Sequence, residues 1–178
     1  YFTEGGDSLL VARVVSSSAT FTSATSSVIT GVTASITDPI VFETLSKGTL
    51  MNSTTSTGEN SDGTLDNGTS DNIRWEISGT NTEAGTFNVL IRQGNDKKDD
   101  KIILESFNKV SLDPNQDNYI SKVIGDQVVE YDSATNQIDI TSGEFANKSN
   151  FIRVKAVNNP TPDYFDNSGN AKHAFTGS

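Results

Sequence analysis

The chain has 178 residues, 33% of them hydrophobic and 20% charged, with a formal net charge of −10. That length suffices for one domain with its own core, and acidity on this scale repels phosphate backbones, which argues against nucleic-acid binding. There is no cysteine, so disulfides, thiolate metal sites and cysteine nucleophiles are excluded. No stretch approaches the ~18–20 apolar residues of a membrane-spanning helix, so no membrane insertion by this segment is expected.

The chain opens on Tyr1 and its one methionine is Met51, so an internal segment of a longer polypeptide is expected. In "YFTEGGDSLLVARVV" a Gly5-Gly6-Asp7 turn leads into a near-continuous apolar run over residues 9–15, the signature of a strand covered on both faces. The Ser/Thr/Val stretch of residues 16–37 predicts one or two modest strands, with Gly31 as a bulge. Asp38-Pro39 interrupts the chain, and "IVFETL" resumes as a strand.

Residues 52–72 hold Leu65 as their lone large apolar residue and read as an exposed polar loop, one whose removal should cost little. Alternation then becomes plain. Ile73, Trp75 and Ile77 share one parity, opposite Arg74 and Glu76; Phe87, Val89 and Ile91 share one, opposite Asn88 and Arg92. With "GTNTEAG" between them these are two strands of a hairpin, and "IILESF" adds a third after the polar turn "GNDKKDDK". The pattern predicts three antiparallel strands over residues 73–105, with Trp75, Phe87, Val89 and Ile103 on one buried face and the charged residues facing water.

"LDPNQDNYISKVIGD" switches to helical spacing, with Asp113-Pro114 as a helix start, Tyr119, Ile120 and Val123 as its stripe, and Gly125 as a C-terminal cap. "QVVEYD", "NQIDI" and "FIRVKAV" predict three further strands, the last with Ile152 and Val154 opposed to Arg153 and Lys155. Residues 158–178 read as an irregular tail. The fold class is therefore α+β, predominantly antiparallel β with one or two short helices, and the organisation is a strand-rich 1–51, a polar loop 52–72, a meander, short helix and further strands over 73–157, and the tail.

Candidate chemistry is sparse. His173, the one histidine, has no orienting carboxylate nearby in the sequence. Asp62, Asp66 and Asp71 suggest calcium, but setting Gly63 as the glycine of an EF-hand loop puts Gly58 where the first carboxylate belongs. Lys97-Lys98-Asp99-Asp100 reads as a solvated turn. Asn52, Asn67 and Asn147 meet the glycosylation consensus, a match that chance supplies in so Asn/Ser/Thr-rich a chain. Trp75 is read as core, with carbohydrate stacking as the other possibility. No phosphate-binding Gly-rich loop and no nucleophile elbow occurs. The reading is of a protein that is not an enzyme, with no catalytic, cofactor-binding or metal residue and no cofactor.

Two segments carry a resemblance. "YFTEGGDSLLVARVV" resembles the aromatic pair, glycine turn and strand of tail sheath proteins of contractile-tailed bacteriophages. "AGTFNVLIRQGN" followed by "ILESFNKVSLDPNQDNYISKVIGD" is similar to the sheath order of a strand, an E-x-F step, an LDP turn and an NYI…VI helix. The resemblance covers about a third of the chain and makes residues 1–51 part of a sheath domain. It implies a structural subunit of a helical tube, assembled in the host cytoplasm and carried in the virion. Its partners are then other sheath subunits, the tail tube and baseplate proteins, and its contraction uses no nucleotide. A β-sandwich binding module of a phage fibre, baseplate or bacterial adhesin is the alternative.

Overall fold

The computed structural model describes residues 22–26, 38–48, 51–53 and 59–161. The strands expected over residues 9–15 and 28–35, most of the tail, and His173 lie outside the described residues.

The described body is mostly antiparallel β-sheet. One sheet holds β1 (Ser23–Thr25), β2 (Ile40–Lys47) and β9 (Ile152–Val157) in the order β1-β2-β9, all antiparallel. In β2 the alternation puts Ile40, Phe42 and Thr44 inside. On its other face Glu43 is paired with Arg153 and Lys155 of β9. Thr44 is buried without strain because its hydroxyl accepts from the Ala24 N–H at 2.8 Å and donates to the Ser46 carbonyl at 2.9 Å.

The second sheet runs β3-β4-β5-β6, where β3 (Met51–Ser53) lies parallel to β4 (Ile73–Asn81). β4, β5 (Thr86–Gln93) and β6 (Ile103–Ser111) form an antiparallel meander, as the alternation predicts. Trp75 lies opposite Ile91, and Ile77 opposite Val89. At the β4–β5 turn the Asn81 side chain accepts the N–H groups of Glu83 and Ala84, the self-capping geometry that Asn favours.

The two sheets enclose one core. Phe42 of the first sheet meets Trp75 of the second edge to face, with ring centroids 5.6 Å apart and an interplanar angle of 61°. Around this contact pack Val89, Ile91, Val110, Ile152 and Val154. Helix α1 (Ile120–Ile124) completes the core with Ile120 and Ile124, both fully buried. Gly125 ends the helix by donating its N–H to the Ser121 carbonyl, at φ +105°. A Cβ there would lie 2.3 Å from Asn147 Cα, so both the backbone angle and the space demand glycine.

Two expectations need correction. Ile103 is not on the shared face; it is 51% exposed. The register shifts between Ile91 and Arg92, which inserts Leu104 as an extra residue and sets Ile103 opposite Arg92. The inward place passes instead to Val110, reached through a second irregularity at Lys109, whose φ is +54° and whose N–H is held by Asn88 Oδ1. The helix also starts later than Asp113-Pro114. Asp113 Oδ1 accepts the Asn115 N–H and the Asp113 carbonyl that of Gln116, so a turn takes the place of the first helical residues.

The remaining strands, β7 (Val128–Asp132) and β8 (Gln137–Ser142), form a separate two-stranded ribbon. Truncating Phe42 to Ala should cost about 3–5 kcal/mol, as for a large aromatic in a closed core, whereas Ile103→Ala should stay within about 0.5 kcal/mol. Urea unfolding midpoints of the two variants check this; equal losses would mean that Ile103 packs inside.

Candidate functional site

Two features of the surface depart from a plain solvated sandwich. The first lies on the outer face of the meander. Arg74 and Arg92 are direct cross-strand partners on that face, where two like charges would repel. Both are nonetheless buried. The buried carboxylate of Asp96 lies between them: Oδ1 accepts from Arg74 Nη1 at 3.2 Å and from Arg92 Nη2 at 2.8 Å, while Oδ2 accepts from Arg92 Nε at 2.6 Å. Oδ2 also takes the Ile102 N–H at 3.0 Å, which fastens the start of β6.

The network extends outward through Glu59, 3.1 Å from Arg74 Nη2, and through Glu76, 2.9 Å from Arg92 Nη1 and 2.8 Å from Lys101 Nζ. Three cations, Arg74, Arg92 and Lys101, thus face three anions, Glu59, Glu76 and Asp96. Burial works to raise the Glu76 pKa; the Lys101 hydrogen bond and the charges of Lys101 and Arg92 outweigh it, and the carboxyl is held below its ordinary 4.5.

The sequence put Arg74, Glu76 and Arg92 in water. They are instead roofed by the polar stretch that precedes β4. Arg74 Nη1 donates to the Gly63 carbonyl at 2.6 Å, and Lys98 N–H donates to the Asp62 carbonyl at 3.1 Å. Most side chains of residues 59–72 are open to water, but Gly63 and Leu65 are buried. A Cβ on Gly63 would lie 2.6 Å from Lys98 Cβ, which measures how closely the loop lies against the 94–101 turn. The ease of deletion expected for the whole of 52–72 does not extend to this part.

The second feature is the β7–β8 ribbon. Its register pairs Val129 with Ile140 and Tyr131 with Ile138, so these four side chains share one face. They are 51%, 59%, 63% and 71% exposed for Val129, Ile140, Tyr131 and Ile138. On the other face Glu130 stands opposite Asp139. A cleft of about 860 Å³ separates β7 from the end of β2, and Leu45, Val129 and Tyr131 are among the residues lining it.

The remaining candidates resolve individually. Trp75 is buried in the core, so it presents no stacking platform for a sugar. Asp62 is engaged by its own turn, where the Thr64 hydroxyl and N–H hold its carboxyl below the usual range. Among the described residues no group of three or more His, Cys, Asp or Glu is placed to hold a metal ion. Asn147 is half-buried and donates from Nδ2 to the Gln127 carbonyl at 2.8 Å, a bond that a glycan on that nitrogen would disturb. The charge network was not found from sequence; the two strands of the ribbon were, but not that their apolar face is left uncovered. The ribbon's signal was present, since "QVVEYD" and "NQIDI" alternate with no second apolar set to cover them.

No family model, curated protein or solved structure matches the chain.

Removing Asp96 leaves two buried guanidinium groups facing each other, so Asp96→Ala should cost about 3–5 kcal/mol. Replacing residues 59–66 by a short Gly/Ser linker should lower the melting temperature by more than about 5 °C, where ~1 kcal/mol corresponds to roughly 2–8 °C; calorimetry of both variants is decisive. The depressed Glu76 pKa stabilises the fold at neutral pH, and that contribution is lost as pH falls below 4.5 through the folded value. Glu76→Gln should therefore lose less stability than the parent between pH 5 and pH 3 in urea titrations, and an identical acid limb would remove Glu76 from the account.

Proposed function

We propose that the chain is part of a contractile-tail sheath subunit, an α+β domain with a structural rather than an enzymatic role. Its partners are neighbouring sheath subunits, the tail tube and the baseplate. It belongs to the virion, after assembly in the host cytoplasm. The observation that carries the reading is the unit formed by the sheath-like segment. "AGTFNVLIRQGN" and "ILESFNKVSLDPNQDNYISKVIGD" span β5, β6, the LDP turn and α1, and the residues of the resemblance bear its internal contacts. Glu105 of the E-x-F step accepts from Ser149 Oγ at 2.6 Å and from the Asn150 N–H at 2.9 Å, which ties β6 to the start of β9. Asp113 of the LDP turn is buried, and Ile120 and Ile124 of the helix fill the core.

The net charge of −10 is in keeping with contacts to protein rather than to nucleic acid.

A second reading, a β-sandwich module of a fibre, baseplate or adhesin, draws support from the two sheets packed over one core. Gold-labelled antibody against the chain, applied to particles from its source, separates the two. Label should repeat along the whole length of contractile tails; label confined to fibre or baseplate, or specific binding of the chain on a glycan array, would overturn the sheath reading.

A further inference from the structure

Asn-Gly and Asp-Gly are the dipeptides most prone to spontaneous rearrangement, because glycine leaves its amide nitrogen unhindered. That nitrogen can attack the side-chain carbonyl carbon of the residue before it and close a five-membered imide. Of the 14 glycines one follows Asn and one follows Asp, and these pairs are Asn67-Gly68 and Asp62-Gly63. Both lie in the stretch that roofs the charge network.

At Asn67 the electrophile is open. Its side chain is exposed and makes no hydrogen bond among the described residues. The nucleophile is engaged: the Gly68 N–H donates to the carbonyl of the buried Leu65 at 2.9 Å. Asn72 clasps this turn, donating from Nδ2 to the Asn67 carbonyl at 2.7 Å and accepting the Thr69 N–H on Oδ1 at 2.9 Å. The Asn72 carbonyl in turn accepts the Gly94 N–H at 2.9 Å, which fastens the clasp just beyond β5. Gly68 is seated on the Gly94 carbonyl so closely that a Cβ would collide with that oxygen. Attack needs the Gly68 N–H to leave the Leu65 carbonyl and Asn67 to rotate about its backbone, and both require the turn to lift from Gly94. Asp62 is the poorer candidate, since the Thr64 N–H and hydroxyl favour its carboxylate form, which is not attacked.

We propose that Asn67 is a deamidation site gated by this seat: it stays intact while residues 59–72 are docked and reacts when they lift away. In the open stretch the Gly68 nitrogen bonds to Asn67 Cγ and passes its proton to water. The Cγ–Nδ2 bond breaks, and the amide nitrogen leaves as ammonia with a proton from water. A water molecule then opens the imide at either carbonyl. One opening gives aspartate at position 67; the other gives isoaspartate, whose backbone runs through the side chain and gains a methylene. Either product sets a new carboxylate between Asp66 and Asp71 in the sequence. Isoaspartate also displaces Gly68, where there is no room even for a Cβ. The turn then cannot regain its seat, and a passing opening becomes permanent. The inference does not rest on the sheath reading.

The test follows the whole chain at neutral pH by peptide mapping, with electron-transfer fragmentation to tell isoaspartate from aspartate. The folded chain should deamidate at Asn67 at least about tenfold more slowly than the same chain unfolded in guanidinium chloride, the ratio that a local opening of 1.4 kcal/mol imposes. Asn72→Ala, which removes the clasp, should raise the folded rate by about fivefold or more, the weight of one net hydrogen bond. Glu59→Gln, which loosens the stretch at Arg74, should act in the same direction and replaces Asn72→Ala if that variant loses the parent's circular dichroism. Thermolysin should cut beside Leu65 faster in the isoaspartate form than in the unaged chain, because cleavage follows the population of the open stretch. The proposal is overturned by equal rates in the folded and unfolded parent, by no reaction at Asn67 in the unfolded chain, by a folded rate that neither variant raises, or by equal cleavage of the two forms.

Discussion

The described body depends on one carboxylate. Asp96 stands between two guanidinium groups that the antiparallel register of β4 and β5 forces to face each other. Away from water such a pair is strongly unfavourable unless an anion with matching geometry is present. The planar forks of Arg74 and Arg92 both reach the same carboxyl group, and its remaining capacity takes the backbone at Ile102. One side chain therefore fixes the pairing of two strands, the position of the 94–101 turn and the entry to β6. Glu59 and the Gly63 carbonyl then bring the polar stretch 59–72 onto the same face.

This arrangement explains which parts of the fold were legible in the sequence. Alternation in "IRWEI" and "TFNVLIRQ" gives the strands and the Trp75 face correctly, because in these two strands the apolar parity packs against the other sheet. It misassigns the other face, because parity tells which residues share a side and not whether that side is covered. The cover comes from Glu59 and Asp96, which sit in stretches with no period of their own. Ile103 was misplaced for a related reason: a single inserted residue reverses the parity of all that precedes it, and hydrophobicity carries no mark of a bulge. The late start of α1 follows from Asp113, whose side chain suits a turn as well as a helix cap.

Function is written less plainly than fold. Under the proposed sheath role no constellation of nucleophile, base and orienter is needed, and the working residues would be ordinary apolar and charged side chains distinguished only by where they are left uncovered. Val129, Tyr131, Ile138 and Ile140 have the same alternation as a buried strand, and sequence alone cannot separate a strand that faces its own core from one that faces a partner.

The first sheet has a consequence for how the protein is made. Glu43 of β2 and Arg153 of β9 are 110 residues apart in the chain, yet they pair across adjacent strands. The β4–β5–β6 meander closes through short connections and can form as soon as it is synthesised, whereas β2 must wait for β9. Contacts of such long sequence separation are slow to form. Until residue 157 has left the ribosome, Ile152 and Val154 cannot join the core, and the Trp75, Val89 and Ile91 face stays incompletely covered in the nascent chain. The slow, aggregation-exposed interval of this fold therefore lies between the synthesis of Ser111 and that of Val157, and synonymous codons that set the pace there govern how long that apolar face remains open to other nascent chains.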